Sequence, residues 1–285
     1  MSSKSSPTLL RRQLGAELRR LREHARKTAA EVAAALGWSE SKVSRIETAN
    51  SSIRNADLNR LLDFYQTSEA ERARLAALVT QSRQRAWWEA YGDALLGAYE
   101  TYIGFESEAA SIFTYDLTIL NGLLQTVEYA SAVIGSLSIG ERPDAVTQRV
   151  SVRMGRQAVL NRDPPPQLWS IIDEAVLRRP VGGPDVMRRQ LMRLLEVGDR
   201  PTVTLQVLPL SVGVHRGVDG SFSVLEFAGD TEMPLVYCDG MTGGVFRNRP
   251  DEVRRYHMAI ESLRSLALGH AETLDFIQTA IRGLE

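Results

Sequence analysis

The sequence predicts a mainly α chain with a smaller α+β part, and three features carry that prediction. Over residues 9–86 apolar side chains recur at helical spacing between short breaks, the pattern of five short helices. After Pro164-Pro165-Pro166 the period changes to runs rich in β-branched and aromatic residues, bounded by Gly, Pro and Asp. The chain has 285 residues, comfortable for two domains. The expected division is a helical domain over 1–86, an aromatic-rich helical junction over 87–105, and an α+β domain with a small sheet over 106–285.

The first helix carries Leu10, Leu14, Leu18, Leu21 and Ala25 on one stripe with arginines between them. A second begins at Thr28, where Thr28-Ala29-Ala30-Glu31 reads as a capping box, and Val32, Ala35 and Leu36 give it a buried face. Gly37 permits a tight turn. Ser39 is a good N-cap for the third helix, with Glu40 against the positive end of its dipole. Asn55 starts a fourth helix with Leu58, Leu61, Leu62 and Tyr65 inward. Ser68-Glu69-Ala70-Glu71, a second capping box, opens a fifth that runs to about Arg85.

Trp87, Trp88, Tyr91, Tyr99, Tyr102 and Phe105 make the junction read as a packed helix bridging the domains. Helical patterns continue to about residue 161, punctuated by Gly135, Gly140 and Pro143. Strands are expected at Leu168–Ile172, Thr202–Leu208, Ser221–Phe227 and Leu235–Cys238, with a helix over Pro184–Glu196 between the first two. A terminal amphipathic helix carries Val253, Tyr256, Ile260, Leu263 and Ala267, as intramolecular core or as a dimer seam. A short helix follows from about Glu272.

Charge is divided unevenly. Residues 1–90 carry 16 Lys and Arg against 10 Asp and Glu, a balance of +6, whereas the remainder carries 18 against 25, or −7, and the two give the formal net charge of −1. A cationic N-terminal part suits phosphate, because basic side chains displace condensed counterions. The single cysteine, Cys238, excludes an internal disulfide framework and suits a reducing compartment. No apolar stretch reads as a leader or a membrane span, so the expected location is the cytoplasm.

The stretch Thr28–Asn50 carries the functional expectation. Two short helices crossing over a tight turn let the second lie in a major groove. Val43 and Ile46, three apart, anchor the third helix inward, which puts Glu40, Ser41, Ser44 and Arg45 on the opposite face and Lys42 at its edge. Hydroxyls and a guanidinium suit base edges and phosphates. Arg45 has the fork to pair with guanine, Ser41 and Ser44 discriminate less, and Glu40 either accepts from a cytosine amino group or caps the helix. Thr28 and Ser39, at helix N-termini, join this DNA-facing set. Lys27, Lys42 and Arg54 are expected to supply phosphate contacts. Two copies would place their third helices in successive grooves, roughly 34 Å apart.

Leu18/Leu21/Arg22, Thr28-x-x-Glu31-Val32-Ala33, Leu36-Gly37-Trp38-Ser39 and Val43-Ser44-Arg45-Ile46-Glu47 resemble the lambda-repressor-like helix-turn-helix family, often called the xenobiotic-response-element family. The resemblance implies that Arg22 pairs with Glu47 to brace the domain without touching bases. Two departures stand out. Ala29 replaces a usual phosphate-contacting glutamine, and Arg26 replaces the glycine that usually closes the first helix, at a cost of about 1 kcal/mol.

A second resemblance covers most of residues 100–268. It rests on Glu106-Ser107-Glu108-Ala109-Ala110, Tyr115, Asn121-Gly122-Leu123-Leu124-Gln125-Thr126-x-x-Tyr129-Ala130, Arg153-x-x-Arg156-Gln157, Asp173-Glu174-Ala175-Val176-Leu177, Gln190-Leu191, Gln206-Val207-Leu208-Pro209 and Gly220-Ser221-Phe222. Together these are similar to actinobacterial antitoxin-like regulators of the Scr type, relatives of the WhiJ developmental regulators. Asn121 stands where a proline usually precedes Gly-Leu-Leu-Gln. The resemblance implies a homodimeric DNA-binding regulator modulated by a small protein partner encoded nearby. The alternatives are an antitoxin that mainly sequesters its partner and a sensor of a small-molecule effector.

Other chemistries are less well supported. His215, Asp219, Ser221 and Ser223 invite a nucleophile reading, but Gly213, Gly217 and Gly220 make a loop between strands the simpler one. Asp173-Glu174 reads as a solvated turn or a helix start. His24, His215, His257 and His270 are scattered and Cys238 is alone, so no metal site is expected. Gly182-Gly183 and Gly243-Gly244 lack a phosphate-loop pattern. Trp88, Tyr91, Tyr99 and Tyr102 read as a domain junction sooner than a stacking platform. Met187 and Met192 read as core sooner than an adaptable surface. No catalytic residue and no cofactor is expected.

Overall fold

The computed structural model describes residues 7–49, 51–82, 87, 97–138, 142–228, 233–240 and 243–284. They belong to two units, Met1–Ala90 and Tyr91–Glu285.

The first unit is five helices: α1 (Pro7–His24), α2 (Ala29–Leu36), α3 (Glu40–Glu47), α4 (Asn55–Phe64) and α5 (Glu69–Gln81). Leu14, Leu18 and Leu21 of α1 meet Val32, Val43, Ile46, Leu58, Leu62 and Leu75 in one core. Burying side chains of this size stabilises the unit by roughly 1.5–3 kcal/mol each. The turn after α2 closes through Gly37 in the left-handed conformation (φ 65°), with the Trp38 and Gly37 N–H groups donating to the Ala33 and Ala34 carbonyls. The same closure follows α1 with a non-glycine residue: Arg26 sits at φ 53°, and Lys27 N–H donates to the Arg22 carbonyl. The capping box at Ser68 is half formed. Ser68 Oγ accepts from Glu71 N–H, but the Glu71 carboxylate turns to Arg20 and Arg74. Helix α5 ends at Gln81, and residues 83–85 of its expected extension lie outside the described residues.

In the second unit the described elements are α6 (Gly97–Glu106), β1 (Ser111–Asp116), α7 (Val127–Leu137), α8 (Pro143–Arg156), β2 (Gln167–Asp173), α9 (Glu174–Arg178), α10 (Pro184–Gly198), β3 (Val203–Leu208), β4 (Phe222–Glu226), β5 (Leu235–Cys238), β6 (Val245–Arg247), α11 (Pro250–Leu266) and α12 (His270–Arg282). The strands form one sheet in the order β3-β2-β1-β4-β5-β6. Strands β3, β2 and β1 are parallel, while β4, β5 and β6 join antiparallel, with Tyr115 opposite Phe222 at the change of direction. Four strands match the expected positions. β6 is additional, and so is β1, which replaces part of the helical run expected through residue 161. Strand β1 is the centre of the sheet and five of its six residues are buried, so both faces are covered, and no alternation of apolar and polar residues marks it because Thr114 and Asp116 are buried along with Ile112, Phe113 and Tyr115.

Val253, Ile260 and Leu263 of α11 are buried against Phe113, Ile171, Phe222 and Val236, so the terminal stripe is core and not a seam. Met187 is also core, while Met192 is exposed. Of the expected junction aromatics, Tyr102 and Phe105 are buried within the second unit beside Tyr237, Phe227 and Phe246. Trp88 and Tyr91 lie outside the described residues.

Candidate nucleic-acid interface

Helix α3 is oriented by its apolar side. Val43 and Ile46 are buried at 2% and 4% exposure, and across the helix Glu40, Ser41, Ser44 and Arg45 are exposed. Ser39 Oγ accepts from Lys42 N–H and caps the helix, which leaves Glu40 in the first turn beside the positive end of the dipole. Thr28 caps α2 in a complete box: its Oγ accepts from Glu31 N–H, and its own N–H and hydroxyl donate to the Glu31 carboxylate. Those two donors hold the Glu31 carboxyl below the usual range. Lys27, Arg45 and Arg54 are exposed, and none has an ion pair among the described residues.

Two clasps fix the pose of α3. Arg22 Nε and Nη2 donate to the two Glu47 carboxylate oxygens at 2.7 and 2.9 Å, and its Nη1 donates to the Lys27 carbonyl at 2.8 Å. One guanidinium therefore ties the end of α3 to α1 and sets the start of α2. At the other end Lys42, expected as a phosphate contact, is paired within the unit. Its Nζ donates to Asp57 Oδ2 at 2.9 Å and lies 3.9 Å from the centre of the Trp38 ring, so its charge is engaged inside the domain. Arg60 completes the turn by donating to the Leu36 carbonyl at 2.6 Å while lying over the same ring.

Sequence reasoning missed Gly15. A Cβ there would lie 2.6 Å from the Glu47 carbonyl oxygen and 2.8 Å from that of Ile46, so glycine lets α1 touch the backbone end of α3. Its position between Leu14 and Leu18 is the signal that points to a close helix crossing.

The scattered motifs of the second unit converge on one turn. Asn121 Oδ1 accepts from Leu123 N–H and starts a 3-10 turn over Gly122–Leu124, which gives this position a role proline cannot fill. Gln157 donates to the Gly122 and Gln125 carbonyls, Gln190 donates to the Leu124 carbonyl and accepts from Thr126 N–H, and Arg153 donates to Gln125 Oε1. Arg156, alongside, is buried in a two-pronged pair with Glu106 at 2.8 and 2.6 Å.

The residues weighed as a nucleophile site come partly together. His215 Nε2 lies 3.5 Å from Tyr115 Oη and 3.9 Å from Asp173 Oδ2, and Tyr115 Oη donates to Asp173 at 3.1 Å. Ser221 Oγ instead accepts from Leu117 N–H, and Ser223 Oγ accepts from Tyr102. Asp219 is exposed, and no described hydrogen bond joins His215 to either serine. Asp173 caps α9, while Glu174 accepts from Leu210 N–H and pairs with Arg178. Asp116, at the end of β1, is buried; burial pushes its carboxyl up to about 7, against hydrogen bonds from Asn121 N–H and Ser170.

Among the described residues no helix is long and apolar enough to cross a membrane. No group of three or more His, Cys, Asp and Glu there is placed to hold a metal ion. The model of a helix-turn-helix domain matches residues 13–75, which supports a DNA-binding regulator. No curated protein and no solved structure matched the chain. The family model described as a domain of unknown function, DUF5753, matches residues 99–279, more than half of the chain, and the protein therefore belongs to that family.

Proposed function

We propose that this chain is a sequence-specific transcriptional regulator that grips duplex DNA as a homodimer, one α3 in each of two successive major grooves. Glu40, Ser41, Ser44 and Arg45 read base edges, and Lys27, Thr28, Ser39 and Arg54 position the backbone. The observation that carries this reading is the exposed Glu40–Ser41–Ser44–Arg45 face on a helix whose opposite side is sunk in the core. A small protein partner, encoded nearby, modulates DNA binding through the second unit, as the resemblance to the Scr-type and WhiJ-like regulators suggests. The protein acts in the cytoplasm. Its second unit acts by binding, not by catalysis.

Selection of duplexes from a random-sequence pool tests the DNA reading. A defined site should emerge, and Arg45→Ala and Ser41→Ala should weaken binding and relax the preference by about 1–3 kcal/mol per lost base contact. An unaltered preference in both variants would remove the groove-facing assignment.

A second reading, an effector-sensing domain, is favoured by one observation. Tyr115, Asp116 and Asp173 gather at the carboxyl ends of β1 and β2, where the sheet changes direction between β1 and β4. Open sheets bind ligands at such switch points. A small molecule that raises the melting temperature, with Asp173→Asn abolishing the rise, would establish it.

A further inference from the structure

We infer that Asp57 limits the grip of this chain on DNA by holding Lys42 as a brace of the recognition helix instead of a phosphate ligand. The inference rests on the DNA-binding reading above and concerns the same site.

Lys42 occupies the first turn of α3, where the positive end of the helix dipole disfavours a cation. Two things offset that cost. Asp57, in the first turn of α4, accepts from Nζ at 2.9 Å, and the Trp38 ring receives the ammonium on its face at 3.9 Å. Lys42 and Asp57 keep only 35% and 24% side-chain exposure, so the pair is partly withdrawn from solvent. The ammonium thereby ties the start of α3 to α4 and to the α2–α3 turn, as Arg22 and Glu47 tie its end to α1. A cation held this way displaces no counterion from phosphate, whereas Arg45 and Arg54 remain exposed to do so.

Asp57 is a positioning residue here, and the salt dependence of binding separates its role from mere support of the fold. Each phosphate contact adds about 0.9 to the slope of log affinity against log salt. The probe is a duplex recovered by the wild-type chain from a random-sequence pool, titrated with full-length variants. Asp57→Asn should raise affinity about five- to tenfold at ~0.1 M salt and steepen the slope by about one, because Lys42 is freed toward the backbone. Lys42→Met, which keeps an unbranched chain of similar length without the charge, should retain the wild-type slope, and Arg45→Ala or Arg54→Ala should flatten it by about one. In the Lys42→Met background the Asp57→Asn gain should vanish.

The inference is overturned if Lys42→Met flattens the slope, or if Asp57→Asn leaves it unchanged. A gain from Asp57→Asn that survives in the Lys42→Met background overturns it too, since removal of any nearby negative charge would then explain it. Should Asp57→Asn fail to fold, the Lys42→Met slope decides alone. Failure of the wild-type chain to recover or bind any duplex would count against the DNA reading itself, a result distinct from all of these.

Discussion

Arg22 on α1 reaches Glu47 at the end of α3 through two charge-assisted hydrogen bonds, with side chains only 13% and 8% exposed. Removing one partner leaves the other charge poorly solvated, the situation that makes a broken buried pair costly. Glu47→Gln or Arg22→Met should therefore lower stability by about 3 kcal/mol in urea unfolding. The double variant Arg22→Met/Glu47→Leu should recover most of that loss. A double variant no better than the singles would show that the guanidinium matters through its bond to the Lys27 carbonyl instead.

Gly15 is the steric counterpart of that pair. Alanine is worth about 1 kcal/mol more than glycine inside a helix, but its Cβ would press on backbone carbonyls that have no room to yield. Overpacking of this kind costs about 1–3 kcal/mol. Gly15→Ala should lower the melting temperature of the helix-turn-helix unit, and a rise would mean that α1 and α3 separate freely.

Arg26 runs the other way. It is exposed, and it adopts φ 53° at the close of α1. An L-residue there costs about 1–2 kcal/mol, of which glycine's larger unfolded-state entropy returns part. Arg26→Gly should stabilise the unit by about 1 kcal/mol, measured as a raised melting temperature.

Asp116 sets a pH dependence in the second unit. Its carboxyl moves from the ordinary 3.8 to about 7 on folding, chiefly through burial. The folded state thus holds the proton more tightly than the unfolded state does. This contribution to stability is complete below pH 3.8 and is lost as pH rises through about 7. Asp116→Asn has no proton to lose, so its stability relative to the natural chain should improve between about pH 5 and about pH 8. Parallel melting curves at the two values check this, and a constant difference would mean that Asp116 is ionised throughout.

The helix-turn-helix was legible because its information is local. Val43 and Ile46 fall three apart, Thr28 and Glu31 make a capping box with each other, and Gly37 takes the turn that follows. Each of these reads from residues within one or two helical turns, so the order, the caps and the exposed face of α3 all came from the sequence by itself. The same holds for β2 to β5, whose composition and flanking turns mark them.

What only the tertiary structure decided depends on partners far apart in the chain. Strand β1 is recognisable as a strand through its neighbours β2 and β4, because burial of both faces erases the alternation that would mark it. Lys42 reads in the sequence as one more surface cation, and its pairing with Asp57, fifteen positions on, shows only in the folded chain. Likewise Asn121, Arg153, Gln157 and Gln190 become one clasp only when α8, α10 and the turn at Asn121 come together. Periodicity reports which face of an element is buried. It carries no record of what meets that face, and hydrogen bonds and ion pairs are set by that meeting.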